Sequence, residues 1–378
     1  MRRFFSFFYR HVCKPILFKF DPEKVHDHFM WLGSKLGRFK LAKDFFEQNF
    51  VYRGESLEQE VCSVRFANPV GIAGGFDKNA RLTQIIPSLG FGFHEIGSIT
   101  AKPYDGNPKP RLKRFPKTRS LWVNYGLKNK GASVIHDDLK NILSSGGEFK
   151  IPLFVNVAKT NCKETAEVKI AVEDYCESVK IFSDMASAFT INISCPNAFG
   201  GQPFHKPEDL EALLFGLDKL QPLSQLIFLK ISPELTNLEI DSLLAVCDKH
   251  KVDGIIISNL RKKKVDEDFD PSERFLVAEH GGLSGKYLEP LADNMLKYIA
   301  TKVKHKDCNP YVLIGLGGIF TAEDAYRKIR LGATLVQLIT GMIFEGPQVI
   351  GEINEGLAKL LIRDGFSNIS EAIGADIN

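Results

Sequence analysis

Between Val70 and Gly341 the chain repeats one pattern eight times: a short, nearly unbroken apolar run, then a longer amphipathic stretch. The runs are Val70–Ala73, Phe93–Ser98, Leu153–Val157, Phe189–Ile193, Ile227–Ile231, Gly254–Ser258, Val312–Gly315 and Leu335–Ile339. A strand with one wet face alternates apolar and polar residues. An unbroken Val/Ile/Leu run predicts a strand covered on both faces, as in a parallel sheet. The stretches between them read as helices. Glu164–Met185 repeats apolar residues at three- and four-residue steps, and Pro207–Leu220 opens with proline and acids. Thr321–Leu331 starts at a threonine cap with Glu323 and Asp324 in its first turn. Eight such units in one block predict an α/β fold, a (β/α)8 TIM barrel, rather than two domains. Segments 100–125 and 260–288 exceed the alternation. Both follow strands, which predicts lids on the catalytic face.

Composition narrows the function classes. Of 378 residues, 44% are hydrophobic and 25% charged, which excludes a disordered or fibrous chain. A net charge of +3 is too small to imply nucleic-acid binding. The basic run Arg261-Lys262-Lys263-Lys264 is answered by Asp266, Glu267, Asp268 and Asp270 and reads as a solvated loop. Seven scattered cysteines without a C-x-x-C pair predict neither a disulfide framework nor a zinc site, and fit a reducing compartment. The nine histidines pair with no carboxylates at ligand spacing, so no metal is expected.

Ahead of the barrel lies a separate unit. Residues 1–20 hold Arg2, Arg3, Arg10, Lys14 and Lys19 with six phenylalanines and no acid. Residues 21–50 read as helical, with Val25, Phe29, Leu32 and Leu36 on one stripe, ending in a polar linker near Arg53–Glu60. The expectation is one or two amphipathic helices over residues 1–52 that lie on a membrane surface, followed by a catalytic barrel over 53–378. The plainer alternative is a helix packed against the barrel bottom. No apolar run reaches the ~18–20 residues that span a bilayer. The short aromatic start lacks a small-residue cleavage site, which argues against a signal peptide.

Catalytic groups of such barrels stand at the C-terminal ends of strands, and these ends are polar throughout. They are Gly74–Lys78, Gly97-Ser98, Asn156 with Lys159 behind it, Asn192–Asn197, Lys230, Ser258-Asn259, Gly315–Gly318 and Thr340-Gly341. The last two follow strands seven and eight, where glycine turns let backbone N–H groups approach a phosphate. Lys230 ends an otherwise apolar strand, where burial is costly unless a ligand anion or a carboxylate meets it. In Thr190–Asn197, two asparagines flank Cys195, which sets an ionisable thiol between amides able to read a polar ring.

Six motifs occur in an order that resembles the dihydroorotate dehydrogenase family over nearly the whole chain. They are Asn68–Gly71 continuing to Phe76–Lys78, Glu95–Ser98, Gly106–Arg111, Asn192–Asn197, Gly281–Gly285 and Gly315–Ile319. The run Leu17–His26 resembles the amphipathic extension of the membrane-associated, quinone-reducing class 2 members. There it forms a helical hairpin that docks on the bilayer and shapes a tunnel to the flavin. Arg114 matches a tunnel-side arginine in part of that class. The resemblance implies FMN contacts at Gly74, Gly75, Phe76, Asp77, Lys78, Ser98, Asn156, Asn192, Lys230, Ser258, Gly285, Gly318, Ile339 and Thr340. Dihydroorotate would be held by Lys78, Asn124, Tyr125, Gly126, Leu127, Asn192, Asn197, Asn259 and Leu260.

The base position falls on Cys195, where class 2 members usually carry serine and the soluble class 1 members cysteine. Asn124–Leu127 is one residue shorter than the class 2 pattern, Leu260 replaces a usual hydroxyl residue, and Ile339 stands where class 2 often has tyrosine. The resemblance implies oxidation of dihydroorotate to orotate in pyrimidine biosynthesis: Cys195 takes the C5 proton, hydride passes from C6 to FMN, Lys230 steadies the reduced flavin, and a membrane quinone reoxidises it. It also implies peripheral attachment to the cytoplasmic side of a cell inner membrane, or to a mitochondrial inner membrane. The alternatives are a class 1-like enzyme using fumarate or NAD⁺, and a flavin-free barrel acting on a phosphorylated sugar.

Overall fold

A computed structural model describes residues 1–220, 224–262, 267, 269–304 and 311–377. Lys263, Lys264, Asp266, Asp268 and Cys308 lie outside the described residues. All eight apolar runs are strands, and they close into one parallel barrel. In chain order they are β1 (Val70–Ile72), β2 (Phe93–Ile99), β3 (Leu153–Val157), β4 (Ala188–Asn192), β5 (Leu226–Lys230), β6 (Gly254–Ile257), β7 (Val312–Leu316) and β8 (Leu335–Leu338). Val336 of β8 pairs with Val70 of β1 and shuts the ring.

Period-two alternation divides each strand. Val155 and Val157, Ile227 and Leu229, and Ile255 and Ile257 point outward into a core shared with the helices. Inward positions near the bottom carry Phe93, Phe154, Phe228, Ile256 and Ile314. The Phe93 and Phe154 rings sit 4.9 Å apart, and a Cβ on Gly71 would stand 2.3 Å from the Phe93 ring, so only glycine fits there. A hairpin, Gln59–Val61 with Val64–Phe66, caps this end by adding Val61 and Phe66 to the aromatic layer. The expected polar linker at 53–60 is therefore structured: Glu55–Leu57 is a 3₁₀ turn whose Leu57 is fully buried.

The helices agree with expectation apart from their ends. Glu164–Met185 divides into a 3₁₀ turn at Glu164–Ala166 and a helix at Val168–Phe182, because Glu167 between them is extended. The Ala322–Arg330 helix starts at a reciprocal capping box between Thr321 and Asp324. The two long insertions meet. Leu112–Phe115, Ser120–Val123 and Gly282–Gly285 form a three-stranded sheet at the mouth of the barrel, with Ser120–Val123 in the middle.

The N-terminal unit holds three helical stretches rather than one or two: Arg2–Leu17 with a π turn at Tyr9–Cys13, then Pro22–Leu36, capped by Asp21, and Lys40–Phe50. It does not pack at the barrel bottom, which the hairpin closes. Its side chains join those of the barrel's C-terminal end instead. Among the described residues no helix is long and apolar enough to cross a membrane.

Candidate active site

Above the phenylalanine layer the inward residues become polar. Glu95, Asn156, Asn192, Lys230 and Gln337 come from five strands, and all are buried. They satisfy one another: Asn156 Nδ2 donates to Glu95 Oε1, Gln337 Nε2 donates to Glu95 Oε2, and Lys230 Nζ stands 3.5 Å from Glu95 Oε1. The expectation that a carboxylate or ligand anion must meet Lys230 thus has a partner inside the protein, Glu95. Asn192 Nδ2 donates to Ser98 Oγ at 2.8 Å, and Asn192 Oδ1 accepts from Ser194 N at 3.2 Å.

This layer floors a cavity of about 180 Å³. Of the residues expected at the cofactor, Gly74, Gly75, Phe76, Lys78, Ser98, Asn192, Lys230, Ser258, Gly285, Gly318, Ile339 and Thr340 line it. Of those expected at the substrate, Lys78, Tyr125, Gly126, Leu127, Asn192, Asn197, Asn259 and Leu260 line it, together with Cys195. Three do not. Asp77 is buried beside the cavity, where its carboxylate accepts from Arg81 N and Leu82 N at 2.8 Å and faces His94 at 3.4 Å, so it organises the loop after β1. Asn156 is engaged by Glu95 and Asn192. Asn124 Oδ1 accepts from Asn107 Nδ2 at 3.0 Å, behind the lining.

The cavity combines a glycine turn, a polar floor and buried polar atoms without partners. Gly318 has φ +79, and a Cβ there would meet the Glu289 Cβ at 2.3 Å, so only glycine fits at this point of the cavity wall. Thr340 Oγ1 and Ser284 Oγ lie 2.9 Å apart on the same wall. Gln337 Oε1 is buried without a partner at the floor, an acceptor suited to a ring N–H. A planar, phosphorylated heterocycle with both donors and acceptors fits this set.

At the other side Lys78 Nζ sits 3.9 Å above the Tyr125 ring, and burial pulls its pKa down to about 8. The Tyr125 hydroxyl is buried without a partner. Burial pushes the Cys195 thiol up to about 11, so it is far less acidic than a free thiol.

A second, apolar cavity of about 270 Å³ adjoins the first. The two share His26, Phe76, Leu112, Leu121 and Ile343. The predicted stripe of Val25, Phe29, Leu32 and Leu36 lines it, with Tyr9, Leu17 and Phe18 from the first helical stretch. Arg114 also lines it, and its guanidinium donates to Leu17 O at 3.2 Å and Phe20 O at 3.0 Å.

The dihydroorotate dehydrogenase family profile matches residues 56–361. A relative named dihydroorotate dehydrogenase (quinone) from Haloarcula marismortui is 35% identical over 97% of this chain and 99% of its own. One of the same name from Sulfurovum sp. is 37% identical over 98% and 99%. A solved structure of DHODH in complex with ferulenol from Eimeria tenella superposes with TM-score 0.83 at 30% identity, covering 94% of this chain and 96% of that one.

The chain belongs to the dihydroorotate dehydrogenase family. Members of this family are flavoproteins, and both relatives carry the quinone designation.

Several residues of this site escape a reading by motif. Glu95 stood only as a motif member, and Gln337 and His26 drew no functional reading. His26 belongs to the amphipathic helix, as its pattern suggests, yet its ring bonds Phe76 O at 3.0 Å and stands where the two cavities meet. Two of the three tip arginines are paired within the protein, and Arg3 stays exposed. Arg2 pairs with Glu355 at 3.2 Å, and Arg10 pairs with Glu345 at 2.7 Å and Glu352 at 3.1 Å.

Proposed function

We infer that this protein oxidises dihydroorotate to orotate with bound FMN and passes the electrons to a membrane quinone, in pyrimidine biosynthesis. The observation that carries this reading is the pair of adjoining cavities: a polar one holding Cys195, the asparagines and three lysines, and an apolar one reaching the N-terminal helices.

Lys230, Ser98, Asn192, Gln337, Ser258 and the Gly318–Thr340 cradle would hold FMN, which when bound supplies the hydride acceptor. Dihydroorotate would be oriented by Asn192, Asn197 and Asn259 around the ring and by Lys78 at the carboxylate. Cys195 is the base for the C5 proton. Lys230 sets a positive charge beside the developing negative charge, and Glu95 holds it in place. Asp77, Asn156 and Asn124 act behind this layer by fixing loops and neighbouring side chains.

Residues 1–52 form the quinone-site and membrane extension, and 53–378 the catalytic barrel. Most of the large apolar side chains left exposed among the described residues fall in the first 45 positions, including Phe4, Phe7, Phe20, Trp31 and Leu41. Such a patch supports peripheral docking on a membrane surface, on the cytoplasmic side of a cell inner membrane. The test is anaerobic. Dihydroorotate should bleach the flavin absorbance of the purified protein, and a ubiquinone analogue should restore it much faster than fumarate or NAD⁺. No bleaching, or faster reoxidation by fumarate, overturns the reading.

A further inference from the structure

A small space of about 10 Å³, room for one water molecule, adjoins the main cavity at Leu127, Asn192 and Cys195. Its polar walls are Lys159 and Tyr175. Lys159 follows β3 and is buried, and its Nζ donates to Phe199 O at 2.6 Å. Two residues on, Asn161 Oδ1 accepts from Phe199 N, also at 2.6 Å. The loop after β3 therefore grips both sides of Phe199, on the same loop as Cys195. Tyr175 OH donates to Asn192 O at 2.7 Å.

The geometry points to Lys159 as the positioning residue that makes Cys195 usable as a base, its ammonium standing across the small cavity as the counter-charge of the thiolate. This rests on the proposed role of Cys195. In that step the C5–H bond of dihydroorotate breaks and the proton forms an S–H bond on Sγ. The C5–H electron pair becomes the C5=C6 bond as the C6 hydrogen leaves as hydride to the flavin. A water in the small cavity then carries the proton from Sγ towards solvent.

The other titratable groups around this space are Cys162 beside Lys159, and Asp174 and Tyr175 on the Val168–Phe182 helix, with Lys78 on the far wall of the main cavity. Asp174 is engaged by Thr160 N and its hydroxyl, and Lys159 is the cation among the described residues that line the small space. Burial raises the thiol, while the Asn197 amide and Lys159 act against it. Burial also lowers Lys159, and Cys195 leads the groups holding it up.

The test is iodoacetamide alkylation of Cys195 across pH in the flavin-loaded, full-length protein, read by peptide mass spectrometry. Lys159→Met should displace the alkylation curve to higher pH, so that Cys195 reacts about 10- to 1,000-fold more slowly at one alkaline pH. Lys159→Arg should restore it, and exposed Cys62 should not move. Lys159→Gln takes the place of the Met variant if the latter loses its flavin. The pH profile of flavin bleaching by dihydroorotate should move in the same direction. An unchanged curve overturns the proposal, and a curve unchanged in position with a faster overall rate assigns Lys159 to anchoring the loop alone. Failure of dihydroorotate to bleach the native protein overturns the functional reading instead, and leaves the alkylation curves readable.

Discussion

Lys230 Nζ lies 3.5 Å from Glu95 Oε1 inside the barrel, with almost no solvent reaching either side chain. Removing one partner of a buried pair leaves the other charge uncompensated. Glu95→Ala also strips the acceptor from Asn156 and Gln337. It should destabilise the protein by about 3–5 kcal/mol in urea unfolding. The Glu95→Ala/Lys230→Met double variant should regain part of that loss. A double variant weaker by the plain sum would show the two residues to be uncoupled.

Cys195→Ala should slow flavin reduction by dihydroorotate about 100- to 10,000-fold while leaving flavin bound. The pH dependence has a definite sign. A base works deprotonated, and burial has pushed this thiol up to about 11, so the native rate should climb with pH on the alkaline side of neutrality. Stopped-flow bleaching across pH measures both effects. A native rate flat with pH, or an Ala variant at native speed, removes Cys195 from the role.

Deleting residues 1–20 should separate the two half-reactions. Tyr9, Leu17 and Phe18 line the apolar cavity, whereas the first residue lining the polar one is His26. The truncated protein should lose liposome binding and quinone reduction yet still be bleached by dihydroorotate. Sedimentation with vesicles and stopped-flow absorbance read the outcomes independently.

Phe66→Ala should cost about 3–5 kcal/mol of stability, because the ring is buried against Phe93 and Phe154 beneath the barrel. Flavin absorbance per folded molecule should not change, since the polar layer stands above it. Thermal unfolding alongside the visible spectrum checks both.

Much of the site is legible because strand periodicity and barrel geometry act locally. Lys230, Asn192 and Ser258 each close an apolar run, and that position alone directs them to the mouth of the barrel. The family resemblance assigns Asp77 to the flavin together with neighbours that line the cavity. Its carboxylate instead closes a turn onto Arg81 and Leu82, a choice made by the backbone path of that loop. The pairing of Arg2 and Arg10 is not legible at the tip, because their partners, Glu345, Glu352 and Glu355, lie at the opposite end of the chain.

Eight unbroken apolar runs separated by amphipathic helices were sufficient to determine the barrel, because such strands are stable only when both faces are covered. The polar strand ends and the glycine turns gather at one mouth of the barrel. Tertiary structure alone decided which polar groups face the cavity and which face each other. It paired Glu95 with Lys230, set Lys159 beside Cys195, and joined the apolar cavity to the polar one through His26 and Phe76. The reason is physical: desolvation and charge pairing depend on distances between residues far apart in the chain. The burial that lifts the Cys195 thiol comes from those distant neighbours.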